Sequence, residues 1–295
     1  MSVYFFGFIR KTKKLFLRFW KTENEKVALL RDVIVALFLV SIIITSLWAY
    51  TGQWFGTPMV AIESGSMEHD PPSHSELPPF GRIGTIDAGD MVLLMDINGK
   101  NDIVPRGSSM HGALAQRNRD VRQYDGYGDV IIYHPNGYMD ADQIIHRVIC
   151  WVEKHENGTY SVEAYGIHYA NSIDIGELGL KNYKPDHSGF ITKGDANEVA
   201  DQYSPDNNGI LGLSSSICRQ PVKVSWISGK ARGEIPWLGT LNLFFNDLTS
   251  GTLGTPQSTV VNVPSDSITC LVLLIAALIS IPVSLDIYDY LKKKE

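Results

Sequence analysis

A chain of 295 residues with 44% hydrophobic residues, 20% charged residues and a formal net charge of −6 is long enough for one sizeable domain and too apolar for a disordered tail. Between residues 56 and 262 it carries 15 Lys or Arg against 25 Asp or Glu, a formal −10 that argues against nucleic acid as a partner. The average hides two charge-free apolar runs, one near each end, and these set the class of the protein.

In chain order, residues 1–32 mix Phe, Leu and Trp with Lys and Arg and read as a basic amphipathic segment lying along the cytoplasmic face of a membrane. Residues 33–54 are predicted to form a first transmembrane helix. The stretch 33–50 (VIVALFLVSIIITSLWAY) has no charge and nearly the length needed to cross about 30 Å of hydrocarbon. Trp48, Tyr50 and Trp54 follow as an interfacial aromatic belt. The alternative, a cleaved secretory leader, is opposed by the long basic lead and the lack of a small-residue cleavage pattern.

Residues 55–262 read as a mainly β domain. Short strand-like patterns fall at 91–95, 130–133, 144–151, 160–165 and 222–227, with Gly, Pro, Asp and Asn between them. Such strands should close their apolar faces as a barrel-like or folded sheet, and no long amphipathic helix is apparent. Residues 69–84 and 98–126 look like polar surface insertions. Residues 235–245 (IPWLGTLNLFF) are too short to span, and read either as a bilayer contact or as a core strand with a turn.

A second transmembrane helix is predicted over residues 266–287, with Pro282 as a kink, followed by a basic cytoplasmic tail at 288–295. A buried core helix is its alternative. Lys and Arg flank the outer ends of both apolar runs, so both termini should be cytoplasmic and the acidic domain outside. Of three cysteines, Cys270 lies in the second run. Cys150 and Cys218 are candidates for a bridge in an oxidising exterior, or two separate buried thiols. Asn157 opens a glycosylation sequon.

The chemistry is carried by scattered residues. The sequence IESGSME (62–68) places Ser64, Gly65 and Ser66 in a small-residue turn that lets a substrate backbone approach and can aim N–H groups at one point. A serine hydroxyl needs a base in reach and an acid to orient that base. His146, within QIIHRVI, is the candidate base, and Asp195 and Asp201, within KGDANEVAD, could each orient it. No His or Cys cluster has metal-ligand spacing, and nothing calls for a cofactor.

Together, SGSME after an N-terminal apolar run, then GDMVLL, YGDVIIYH, IIHRVI and KGDANEVAD, in that order, resemble the signal peptidases of the archaeal and endoplasmic-reticulum type. The resemblance runs from the first apolar run to about Asp201, and the later PWLG resembles the family's membrane-proximal end. It implies a β-rich extracytoplasmic serine peptidase domain anchored by two membrane helices. In that reading Ser66 is the nucleophile, and Ser64 helps line the oxyanion pocket with the Ser66 N–H. His146 is the general base, where the bacterial branch carries lysine. Asp201 is the acid of the triad and Asp195 a second supporting aspartate.

The partners implied are the signal peptides of exported preproteins, membrane lipid and the protein-export channel. His69 departs from the family pattern, standing where proline commonly follows SME. His69 and His134 are rival imidazoles ranked below His146. A catalytically inactive scaffold of the same fold, or a peptidase acting on other substrates, are the alternative functions.

Overall fold

The computed structural model describes residues 19–20, 22, 24–69, 83–107, 122–203 and 217–292. The chain divides into two compact units, Met1–Gly56 and Thr57–Glu295.

The first unit is dominated by helix α1 (Glu25–Thr51), whose apolar window has a mean hydropathy of 2.6 and no buried residue. Its length, roughly 40 Å at 1.5 Å per residue, exceeds the hydrocarbon core of a bilayer. Asn24 caps the start, its Oδ1 accepting from Lys26 N at 3.1 Å and Val27 N at 3.4 Å. Gly52, at φ 73°, ends the helix by turning its N–H back to Trp48 O. The helix therefore starts eight residues before the predicted 33 and ends before Trp54. Asn24 already satisfies the orphan N–H groups, and charged residues are no obstacle to helix outside the lipid. The basic segment expected over 1–32 lies outside the described residues as far as 18.

The second unit is built on a mostly antiparallel sheet. Its strands are β1 (Met59–Ala61), β2 (Met91–Met95), the short hairpin β3 (Arg122–Gln123) and β4 (Gly126–Tyr127), β5 (Val130–Tyr133), β6 (Ile144–Lys154), β7 (Tyr160–Val162), β8 (Ile167–Ala170), β9 (Ile173–Ile175), β10 (Leu180–Tyr183), β11 (Gly189–Lys193) and β12 (Ile227–Ile235). The main sheet runs β1-β2-β12-β5-β6-β7-β8, with β11 also paired to β6. Alternation decides the faces. In β2 only Val92 and Leu94 are buried, whereas β5 is buried throughout, sending Val130 and Ile132 to one apolar cluster and Ile131 and Tyr133 to another.

Strand β6 is the long element that links the clusters. Thr192 pairs with Val148 and Ile191 with Cys150, so Ile149 is an extra residue on β6, and such a bulge bends a strand and re-aims its side chains. Beyond it, Ile149 and Val152 enter a third cluster with Val162, Leu178 and Ile191. The catalytic candidates lie before the bulge.

Three expectations are corrected. Residues 235–245 are not a core strand with a turn: Ile235 ends β12, and helix α2 (Gly239–Ser250) follows. The predicted insertion 98–126 is not all surface loop, because Ile103 is buried and Arg106 and Gly107 donate backbone hydrogen bonds to Val148 and Ile149. Residues 108–121, like 70–82 of the other insertion, lie outside the described residues. The strand pattern at 222–227 is a single bridge from Val222 to Phe190, with β12 starting at Ile227. Cys150 and Cys218 are separate buried thiols. Helix α3 (Ser265–Lys292) continues through Pro282 and past the predicted end at 287, with a mean hydropathy of 2.6 over its apolar window. The two long apolar helices and a β-rich region between them are thus both present.

Candidate active site

The nucleophile candidate sits on a turn fixed from both sides. Before it, Ile62 and the chain at 89–90 exchange backbone bonds, Ile62 N to Asp90 O and Gly89 N to Ile62 O. After it, Met67 is 1% exposed and packs among Ile62, Ile86 and Val92. Between these anchors Ser66 is half-buried and Ser64 exposed. The Ser64 hydroxyl donates to Ser66 Oγ at 3.4 Å. No hydrogen bond occupies the Ser66 N–H among the described residues.

His146 comes from β6, opposite Ile131 of β5, and is 3% exposed. Its Nε2 lies 3.0 Å from Ser66 Oγ, and its Nδ1 lies 2.8 Å from both oxygens of Asp201. A ring nitrogen facing only a carboxylate must carry the proton, so Nε2 is left as the acceptor towards Ser66. Three groups separated by 80 and 55 positions in the chain therefore form one hydrogen-bonded line, hydroxyl to imidazole to carboxylate.

Asp201 is 2% exposed and follows a turn after β11. Burial pushes its carboxyl up, but the His146 ring and the hydrogen bond from Tyr133 outweigh that and hold it below the ordinary carboxylate range. Tyr133 OH donates to Asp201 Oδ2 at 2.8 Å and accepts from Thr192 Oγ1 at 3.2 Å. Burial keeps that phenol protonated, far above its usual range. An ionised acid, held in place by a buried phenol, is what an imidazole needs to hold one tautomer and to bear positive charge.

Asp195 takes no part in this line. Its carboxylate receives Arg147 Nε at 2.8 and 3.0 Å and His69 Nε2 at 2.9 Å. Burial raises its carboxyl, but Arg147 and His69 more than compensate, and it too lies below the ordinary range. Of the two aspartates left open by the sequence, the geometry joins Asp201 to His146. The rival His134 has its Nε2 against Gln143 and makes no hydrogen bond to Ser66 among the described residues. His69 is part of the site, although it does not face Ser66.

Sequence reasoning passed over Tyr133 and Gly194. Tyr133 looked like one more apolar strand position. Gly194 looked like an ordinary turn glycine, yet a Cβ there would stand 2.6 Å from Ser66 O and 2.8 Å from His146 Nε2. Because one of those atoms is backbone, a methyl group must displace the turn that carries Ser66. Gly194→Ala is expected to lower turnover about 10²-fold, since a shift near 1 Å is enough to spoil attack geometry, and to cost about 1–3 kcal/mol of stability through overpacking. Wild-type turnover in that variant would show the close approach to be unimportant.

A groove of about 780 Å³ opens beside Ser66 and His146. One wall is β1, the outer strand of the sheet, and the other is the start of β6 at Gln143 and Ile144. An unpaired strand edge offers backbone groups to an extended peptide. A hydroxyl with an adjacent base, an ionised acid behind that base and an N–H beside the hydroxyl that has no partner among the described residues can together perform acyl transfer on such a peptide. No protein-family model matches the chain, and it matches no curated protein.

Proposed function

We propose that the chain is a membrane-bound serine endopeptidase, a signal peptidase I of the archaeal and endoplasmic-reticulum type, that removes N-terminal signal peptides from exported proteins. The observation that carries the reading is the line from Ser66 through His146 to Asp201, with 3.0 and 2.8 Å contacts, at the head of a strand-edged groove.

In this mechanism the leader lies extended along β1. His146 Nε2 takes the Ser66 proton as Oγ attacks the scissile carbonyl. Asp201 holds the Nδ1 proton in place and stabilises the imidazolium that forms. The Ser66 N–H and the Ser64 hydroxyl receive the negative charge on the carbonyl oxygen. His146 then returns the proton to the departing amine, and a water molecule activated at the same nitrogen releases the acyl group. Small residues before the scissile bond are the preference expected from the resemblance.

The chain in this reading spans the cell membrane twice with both termini cytoplasmic and the β domain outside. The position of the nucleophile supports it. Asn262 Nδ2 donates to Glu63 O at 2.9 Å, three residues before Ser66 and three before the start of α3. Helix α2 adds an exposed stripe of Phe244, Phe245 and Leu248, which suits contact with the lipid surface. A leader helix held in the bilayer would present its cleavage segment in that plane, which raises its local concentration.

The purified full chain, in detergent or liposomes, should cut a leader-bearing precursor once, after small residues at the leader's end, with both products identified by mass. A chain that binds the precursor without cutting it would favour the inactive scaffold instead.

A further inference from the structure

Two turns meet at the nucleophile. Residues 64–69 carry Ser66, and residues 194–197 follow β11. They are joined at two points: Ala196 N donates to Ser66 O at 3.0 Å, and His69 Nε2 lies 2.9 Å from Asp195 Oδ2. The second turn is itself tied to the base. Arg147, the neighbour of His146 on β6, holds Asp195 through Nε and the adjoining guanidinium nitrogen, and Gly194 lies against His146 Nε2.

The contacts close into a ring: Ser66 to His146, one residue along β6 to Arg147, across to Asp195, on to His69, and three residues back to Ser66. Each of two consecutive β6 residues grips one acid, His146 taking Asp201 and Arg147 taking Asp195. Were His69 removed, the turn would keep the Ala196 bond and the buried Met67, and its far end would lose its charged anchor. His69 is 23% and Asp195 11% exposed at their side chains, so the contact is partly shielded from water, where a hydrogen bond to an ionised carboxylate is stronger than at a fully exposed site.

We propose that His69 is a positioning residue, a latch that holds the nucleophile turn against Asp195 and so sets the distance from Ser66 Oγ to His146. It is neither a base nor a substrate contact. Its Nε2–H is the working group, since the carboxylate it faces can only accept. The inference rests on the serine peptidase reading above, and its consequences fall on the chemical step, because the groove walls at β1 and β6 are untouched.

The test compares the full chain with His69→Ala, His69→Gln and Ser66→Ala, measuring kcat, KM and melting temperature on one leader-bearing precursor. A glutamine amide can put an N–H near the place of Nε2. His69→Ala is expected to lower kcat about tenfold with KM within about twofold, in keeping with the sensitivity of attack geometry to small displacements. His69→Gln should recover most of the loss. Unchanged kcat in His69→Ala would overturn the latch. So would a rise in KM with constant kcat, or a loss that His69→Gln fails to repair while its melting temperature is normal. Ser66→Ala separates the two claims: if it still cleaves, the peptidase reading of the site fails, whatever His69 does.

Discussion

Replacing Ser66 by alanine should abolish leader cleavage to within the background, a loss of about 10³-fold or more in kcat, with the fold retained. Ser66 is half-buried and, among the described residues, its hydroxyl bonds to His146 and the Ser64 hydroxyl, so removing one oxygen opens no cavity and leaves no apolar cluster disturbed. The melting temperature should therefore stay close to that of the parent while turnover disappears. What residual rate survives belongs to the groove and to the oxyanion donors, which bind and polarise the carbonyl without attacking it. If cleavage drops only a few-fold, some other group is the nucleophile. Ser64, 3.4 Å away, would be the first to replace in its turn.

Asp201→Asn is the second large effect, a fall of about 10⁴-fold in kcat by analogy with the same change in other serine peptidase triads. The reason is the tautomer. Both Asp201 oxygens lie 2.8 Å from His146 Nδ1 and can only accept, so Nδ1 keeps its proton and Nε2 is free to take one from Ser66. An asparagine amide facing the same nitrogen can donate instead, moving the ring proton to Nε2, where it blocks the transfer. The imidazolium of the transition state also loses its counter-charge. Asp195→Asn should cost much less, because Asp195 meets Arg147 and His69 and never the base. Kinetics on the two variants side by side distinguish these roles: equal losses would mean that the pairing of His146 with Asp201 is not the functional one.

The parts of this molecule legible in the sequence were those whose pattern follows from burial. Val92 and Leu94 alternate inward, VIIY at 130–133 is apolar on both faces, and the two long charge-free runs form helices. Strand β6 was anticipated, though its extension to Lys154 and its bulge were not, since a bulge depends on the partner strand and not on local composition.

Helix α2 was missed because its polarity is inverted. It buries Gly239, Thr240, Leu243 and Asp247 and exposes Phe244, Phe245 and Leu248, so the usual apolar stripe does not mark the inner face. Gly239 explains the docking: a Cβ there would stand 2.2 Å from Asp90 O. Residues 103–107 read as polar loop because, beyond the one buried apolar side chain of Ile103, their order comes from backbone bonds such as those of Arg106 and Gly107 to β6, which leave no trace in hydropathy.

The same distinction applies to the candidate site. Ser66, His146, Asp201 and Asp195 could be named because their types and neighbouring residues are chemically suggestive. The choice of acid could not be made, since Asp195 and Asp201 lie six positions apart and only the path of the chain after β11 decides which one reaches Nδ1. His69 and Tyr133 were ranked low or overlooked for a related reason. Their roles arise from a partner 126 and 68 positions away, Asp195 for one and Asp201 for the other.

Ser66 should form an ester with the leader's new C-terminus before water intervenes. Acid-quenched single turnovers of the full chain with an isotope-labelled precursor, followed by proteolysis and mass spectrometry, read this directly. The peptide containing Ser66 should carry the labelled acyl group, released by hydroxylamine and missing from the Ser66→Ala chain. Product appearing in the first turnover with the label on another residue, or with no adduct at any quench time, would contradict it.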